Sequence, residues 1–304
     1  MEIQLKQPYS FCQLGKRGNQ EDARFPDDSM PQGVKPAFVV CDGVGGRDKG
    51  EVASRTVADA IGAYMARRDL TQPFTARDFA VVLDYAYSCL NSKINSSTND
   101  MATTMTFVCF HDSGVFCAHI GDSRIYHIRP GVGIMYQSED HSLINVLVHS
   151  GSLTPEEAID HPRNNIITRC MGYVEKGAER PAATTLQIDD VVSGDYFFMC
   201  TDGVLHNIDD AELLSLISAD MPDREKISII AEKCASSPDN NTDYLIGVDS
   251  VESAGAGAGT DDLTSCTSVI TTPIDREMNE TVEVTSCKDR SLGEKISHFF
   301  NRLF

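Results

Sequence analysis

Short apolar runs and polar turns alternate along the first 250 or so residues. Ala37–Cys41 (AFVVC), Val115–Ile120, Ile125–Arg129 and Tyr196–Cys200 (YFFMC) are apolar or aromatic at successive positions. That is the pattern of short strands buried in a core. Thr103–His111 precedes Val115–Ile120 across His111-Asp112-Ser113-Gly114, a hairpin signal. Pro130–Gly133 marks a second turn, leading into Ile134–Gln137. Met1–Lys16 is predicted to open the chain with a strand or two, and Tyr244–Val248 to be a late strand. Helical spacing is clearest in Ala76–Ser92, where Phe79, Val82, Leu83, Ala86 and Leu90 share one face. Further helices are predicted over Glu51–Met65, Asp209–Ser218 and Arg224–Ala235, with another starting in Asp140–Gly151. Thr154-Pro155-Glu156-Glu157 is a helix start, with Thr as N-cap, Pro at the first position and acids in the first turn. Phe25–Pro36 is predicted as loop. Ile159–Gly172 is too polar for a core element and is predicted as a surface flap.

Several of these runs end in a carboxylate beside glycine. Ala37–Cys41 runs into Asp42-Gly43-Val44-Gly45-Gly46, and Tyr196–Cys200 into Thr201-Asp202-Gly203. Gly121-Asp122 lies between two strands, Glu21-Asp22 ends a polar turn that starts at Gly15, and Asp239 precedes Tyr244–Val248. A strand-end carboxylate has a fixed direction, and glycine lets the backbone turn and approach a ligand closely. Such a set, with a backbone carbonyl, suits a hard divalent cation. Each Asp-Gly alone is also an ordinary turn. Carboxylates converging from opposed sheets repel one another, and two bound Mg²⁺ or Mn²⁺ ions would remove that repulsion while activating a water for attack on a phosphoryl group. Arg17 is placed in sequence to take phosphate oxygens bidentately.

Composition narrows the classes. The chain has 304 residues, 41% of them hydrophobic, enough for one large domain or two small ones. The net charge of -19 argues against a nucleic-acid binder, whose affinity rests on clustered Lys and Arg. The ten cysteines are scattered, with no C-x-x-C pair, which predicts free thiols in a reducing, cytoplasmic setting and no zinc site. The N-terminus carries no basic-then-apolar signal segment, and no apolar run is long enough for a membrane helix. After residue 251 the composition changes. A Gly/Ala then Ser/Thr-rich linker is expected over 252–290, followed by an amphipathic helix over 291–304. Any membrane contact is assigned to that helix.

The ordered set RGNQEDA (Arg17–Ala23), CDGVGG (Cys41–Gly46), ATTMTF (Ala102–Phe107), HIGDSRIY (His119–Tyr126), EDHSL (Glu139–Leu143), CTDGV (Cys200–Val204) and PDNNT (Pro238–Thr242) resembles the metal-dependent protein serine/threonine phosphatases of the PP2C or PPM family, bacterial type. Leu147–Gly172 resembles the flap region of that branch. The resemblance runs from about Lys6 to Val251. It implies an α+β fold, a four-layer α-β-β-α sandwich of two antiparallel sheets flanked by helices, in a domain of residues 1–251. It implies two Mn²⁺ or Mg²⁺ ions and attack by the water bridging them on phosphoserine or phosphothreonine. By motif, Asp42 would bridge both ions and Gly43 would give a carbonyl. Asp202 and Asp239 would be further ligands, Glu21 and Asp22 would orient waters, Arg17 would hold the substrate phosphate, and Asp122 would support a third ion. Phosphorylated proteins would be the substrates and a Ser/Thr kinase the counterpart. Val44 stands where many eukaryotic members carry His, which leaves the proton donor unassigned. His141 and His161 are expected to be structural. Asp261-Asp262-Leu263-Thr264 also resembles the last family motif, but Asp239, between a helix and a β-run, fits it better. A phosphatase of another phosphoester and a non-catalytic binding module with the same fold are the alternatives.

Overall fold

The computed structural model describes residues 2–27, 36–44, 49–93, 100–159, 161–174 and 178–252. Gly45, Gly46, Asp261, the linker and the 291–304 helix lie outside the described residues. In chain order the elements are β1 (Glu2–Leu5), β2 (Cys12–Gln13), β3 (Ala23–Phe25), β4 (Ala37–Cys41), α1 (Gly50–Met65), α2 (Ala76–Lys93), β5 (Ala102–Thr103), β6 (Met105–His111), β7 (Gly114–Ile120), β8 (Arg124–Arg129) and β9 (Gly133–Gln137). These are followed by α3 (Leu143–His149), α4 (Pro155–Ala158), β10 (Met171–Gly172), β11 (Thr184–Ile188), β12 (Tyr196–Cys200), α5 (Asp202–Leu205), α6 (Asp210–Ser218), α7 (Asp223–Cys234) and β13 (Asn241–Glu252).

The strands form two antiparallel sheets. One has the order β1-β13-β12-β8-β9, with β2 also on β13; the other has the order β11-β7-β6-β4-β3. Strands sandwiched between a second sheet and a helical layer must be apolar on both faces, and the alternation shows it. In β4, Phe38 and Val40 enter the core between the sheets, while Ala37, Val39 and Cys41 face the layer of α1 and α2. In β12, Phe197 and Met199 enter the same central core, while Tyr196, Phe198 and Cys200 pack with Leu213, Ile217 and Ile230 of α6 and α7. The result is the four-layer α-β-β-α sandwich expected from the sequence.

Three strands depart from the sequence pattern. The sequence pattern does not predict β3 or β11 as strands; β3 has three residues and β11 (TTLQI) is a part-exposed edge strand, so neither has a long apolar run. β13 begins at Asn241 rather than Tyr244, because the polar Asn241, Thr242 and Asp243 are buried against β2 and β12. The flap folds back on the sandwich through Leu143 N–H to Ile166 O (2.8 Å) and Thr168 N–H to His141 O (2.7 Å). The Thr154 start is a complete capping box with Glu157.

Away from the strand ends that carry the acidic motifs, a buried ion cluster fixes how β8 meets β12. The Asp195 carboxylate accepts from Arg129 Nε and Nη2 (2.8 and 2.9 Å), and pairs with His127 Nε2 at 2.8 Å. The His127 ring stacks on Phe197 at 4.7 Å. Burial alone would raise the Asp195 carboxyl, but the Arg129 and His127 hydrogen bonds outweigh it and hold the group down at about 2. A carboxyl lowered in the folded state adds stability that is complete above about pH 4 and is lost as pH falls towards the folded value. Asp195→Asn is therefore expected to cost at least about 2 kcal/mol at neutral pH. The gap to wild type should narrow below about pH 4, as read by urea unfolding across a pH series.

Candidate active site

The two central strands deliver carboxylates to one place. Asp42 follows β4 directly, and Asp202 is the first residue of α5, preceded by Thr201, which follows β12. Gly43 N–H donates to Glu21 O at 3.0 Å. A Cβ on Gly43 would lie 2.5 Å from Gly50 C and 2.7 Å from Glu21 O, so only glycine allows this approach. A Cβ on Gly203 would lie 1.9 Å from Asn240 O, which keeps the α5 start against the Asp239 segment. Asn240 then ties in the N-terminal turn: Oδ1 accepts from Glu21 N–H (2.8 Å), and Nδ2 donates to Leu14 O (2.9 Å) and Asn19 O (3.0 Å). Asp122 comes from the turn between β7 and β8.

These residues border a cleft of about 190 Å³. Arg17, Glu21, Asp42, Gly43, Asp122, Asp202 and Asp239 all line it, as the sequence motifs led us to expect. Asp22 does not. Its carboxylate is buried, accepts from Thr201 Oγ1 at 3.0 Å, and acts on Asp42 through its charge. Val44 lines the cleft as well, and so do Thr104, Asn165, Ile167 and His206, which sequence reasoning did not single out. Asn165 and Ile167 arrive through the long-range flap contacts. His206 is four residues past Asp202, one helical turn, a signal available once α5 is recognised. His141 is structural, as expected: its Nδ1 accepts from Gly121 N–H (3.0 Å) and its ring stacks on His119 at 4.6 Å. A larger hollow of about 450 Å³ lies at the other end of β12, beside Tyr196. Its most buried charge, Lys226, is already bonded to Ile217 O (2.6 Å) and Tyr196 Oη (3.2 Å).

The cleft is electrostatically strained. Burial, reinforced by Asp22 and Asp202, pushes the Asp42 carboxyl well above the usual carboxylate range. Burial likewise raises Asp22 and Asp122 to about 7. Asp202 is raised by burial although His206 opposes the shift, and its buried Oδ1 has no hydrogen-bond partner among the described residues. Arg17 is the one Lys or Arg among the described residues that line the cleft, and it pairs with Asp239 at 2.5 Å. The donors are oxygens throughout the acidic wall, the chemistry of a hard divalent cation. Among the described residues no three His, Cys, Asp or Glu side chains form a ready-made ion cage.

Comparisons with known proteins identify the family and the fold. The Protein phosphatase 2C family model matches residues 20–228, and the chain belongs to that family. Protein phosphatase PhpP of Streptococcus pneumoniae is 32% identical over 217 residues, covering 69% of this chain and 83% of that protein. The crystal structure of the Mycobacterium tuberculosis serine/threonine phosphatase PstP/Ppp superposes with a TM-score of 0.69 at 25% identity, over 81% of this chain and all of that one. A structure of the PstP catalytic domain in complex with 2 manganese ions shares the fold, with a TM-score of 0.64 at 24% identity over 81% of this chain and 99% of that one.

Removing one of several repelling, buried carboxylates should help the metal-free protein. In chelator, Asp42→Asn is expected to be more stable than wild type by about 1–2 kcal/mol. The stabilisation that Mn²⁺ gives wild type should vanish in the variant. Thermal unfolding with and without Mn²⁺ measures both.

Proposed function

We propose that the acidic cleft is the catalytic centre of a metal-dependent protein serine/threonine phosphatase. The chain is such an enzyme by family, with Mn²⁺ or Mg²⁺ as its cofactor and phosphoproteins as its substrate class. The observation that carries the residue assignment is the convergence of Glu21, Asp42, Asp122, Asp202 and Asp239 on one cleft beside Arg17. In this reading Asp42, Asp202, Asp239 and the Gly43 carbonyl hold two cations, and Asp122 supports a third. Bound there, the cations lower the pKa of a water and neutralise the phosphoryl oxygens. Glu21 orients the waters around them, while Asp22, buried behind the cleft, acts on Asp42 through its charge. Arg17 is half-exposed at the cleft and already paired with a carboxylate, so its guanidinium is positioned to exchange Asp239 for the phosphate of a phosphoserine or phosphothreonine. No covalent enzyme intermediate is needed.

The catalytic domain is taken as residues 1–251, with the linker and terminal helix beyond it. A Ser/Thr kinase as counterpart and the cytoplasm as compartment complete the reading. The buried free thiols of Cys41, Cys109, Cys117, Cys200 and Cys234 support a reducing compartment. No helix among the described residues is long and apolar enough to cross a membrane. Any membrane contact is assigned to the 291–304 segment.

Hydrolysis of a phosphothreonine peptide tests the reading. Wild type should turn over with Mn²⁺ and stop with chelator, and Asp42→Asn should be inactive. Arg17→Ala should mainly raise KM, with kcat/KM falling about 10- to 100-fold for the loss of a charge-assisted phosphate contact. Metal-independent turnover, or an Arg17→Ala variant with wild-type KM, would contradict these roles.

A further inference from the structure

Asp42 is gripped from both sides by one residue that the catalytic reading does not use. Thr104, one residue past β5, donates its N–H to Asp42 O at 2.8 Å, and its Oγ1 accepts from Asp42 N–H at 2.9 Å. Thr104 therefore holds the backbone on either side of the Asp42 Cα, and Thr103 Oγ1 adds a second donor to Asp42 O at 2.8 Å. The same Oγ1 lies 2.8 Å from Ser123 Oγ. Ser123 follows Asp122 in the turn between β7 and β8. Both hydroxyls are almost wholly buried, with Thr104 at 2% and Ser123 at 1% exposure, so water does not compete for these bonds. Thr104 also borders the cleft itself.

We propose that Thr104 is a positioning residue that locks the Asp42 strand end to the Asp122 turn through the Thr104–Ser123 hydroxyl pair, so that cation binding at one carboxylate is linked to binding at the other. This rests on the reading of Asp42 and Asp122 as cation ligands. The chemistry is that of any group that orients a metal ligand without touching the metal: the ligand's direction, rather than its charge, is what the hydroxyl supplies. The two carboxylates arrive on separate segments, one past β4 and one between β7 and β8. The hydroxyl pair is the short polar path between them.

Mn²⁺ titration calorimetry on the full chain tests the inference, with peptide hydrolysis alongside. Thr104→Val keeps the branched shape and removes the hydroxyl. It should retain the wild-type circular dichroism spectrum, bind Mn²⁺ about 10- to 100-fold more weakly, as losses of such supporting groups commonly do, and lose kcat with KM nearly unchanged. Thr104→Ser keeps the hydroxyl and should restore most of the affinity. Ser123→Ala cuts only the link to the Asp122 turn and should weaken the loosest Mn²⁺ step alone. A folded Thr104→Val that titrates like wild type overturns the inference. If that variant does not fold, an unchanged isotherm for Ser123→Ala overturns it instead. Asp42→Asn separates the two levels. If it too binds Mn²⁺ like wild type, the cation reading fails and the inference with it; if it loses binding while the hydroxyl variants keep theirs, only the inference fails.

Discussion

Glu21, Asp42, Asp122, Asp202 and Asp239 face one small cleft beside Arg17, and the fold must hold them there against their mutual repulsion. Most of these carboxylates are pushed towards neutrality by burial and by one another. A chain selected for stability alone would not gather them. The repulsion has a function if cations replace it: the energy that opposes the empty arrangement becomes affinity for the bound one. Local destabilisation of this kind is typical of functional sites, where the surrounding structure over-determines the geometry.

The over-determination comes from the sandwich. β4 and β12 belong to different sheets, yet both contribute to the same central core, so the strand ends that carry Asp42 and Asp202 are set by one packed interior. The outer faces of the same strands are fixed by α1 and α2 on one side and by α6 and α7 on the other. Close backbone approaches at Gly43 and Gly203, and the three hydrogen bonds of Asn240, then bring the N-terminal turn and the Asp239 segment to those strand ends. A single displaced strand would spread the carboxylates apart. The site is thus a property of the sheet pair, not of any one loop.

What could be read from the sequence follows from what was local. AFVVC and YFFMC declare two-sided burial by their composition, and the Asp-Gly pair that follows each declares a turn with a carboxylate. The predicted helices Glu51–Met65 and Ala76–Ser92 have the right period and match α1 and α2 within a residue at each end. What escaped was non-local. Asn241, Thr242 and Asp243 read as polar loop because nothing in their own composition announces pairing with β2 and β12. Asn165 and Ile167 reach the cleft only after the flap returns across His141 and Leu143. Asp22 sits in the same dipeptide as Glu21, but only tertiary packing decides that one faces the cleft and the other is buried beneath Thr201. Thr104 stands in the ATTMTF motif, but its role shows only once Asp42 and Ser123 stand beside it.

The central claim is that this cleft gathers carboxylates in order to hold a pair of divalent cations. Anomalous diffraction from crystals of the full chain grown with Mn²⁺ addresses it most directly. The account predicts two peaks about 3.5–4 Å apart, with the Asp42 carboxylate between them and Asp202 and Asp239 alongside. A cleft without anomalous density, or peaks confined to other surfaces of the protein, would contradict it.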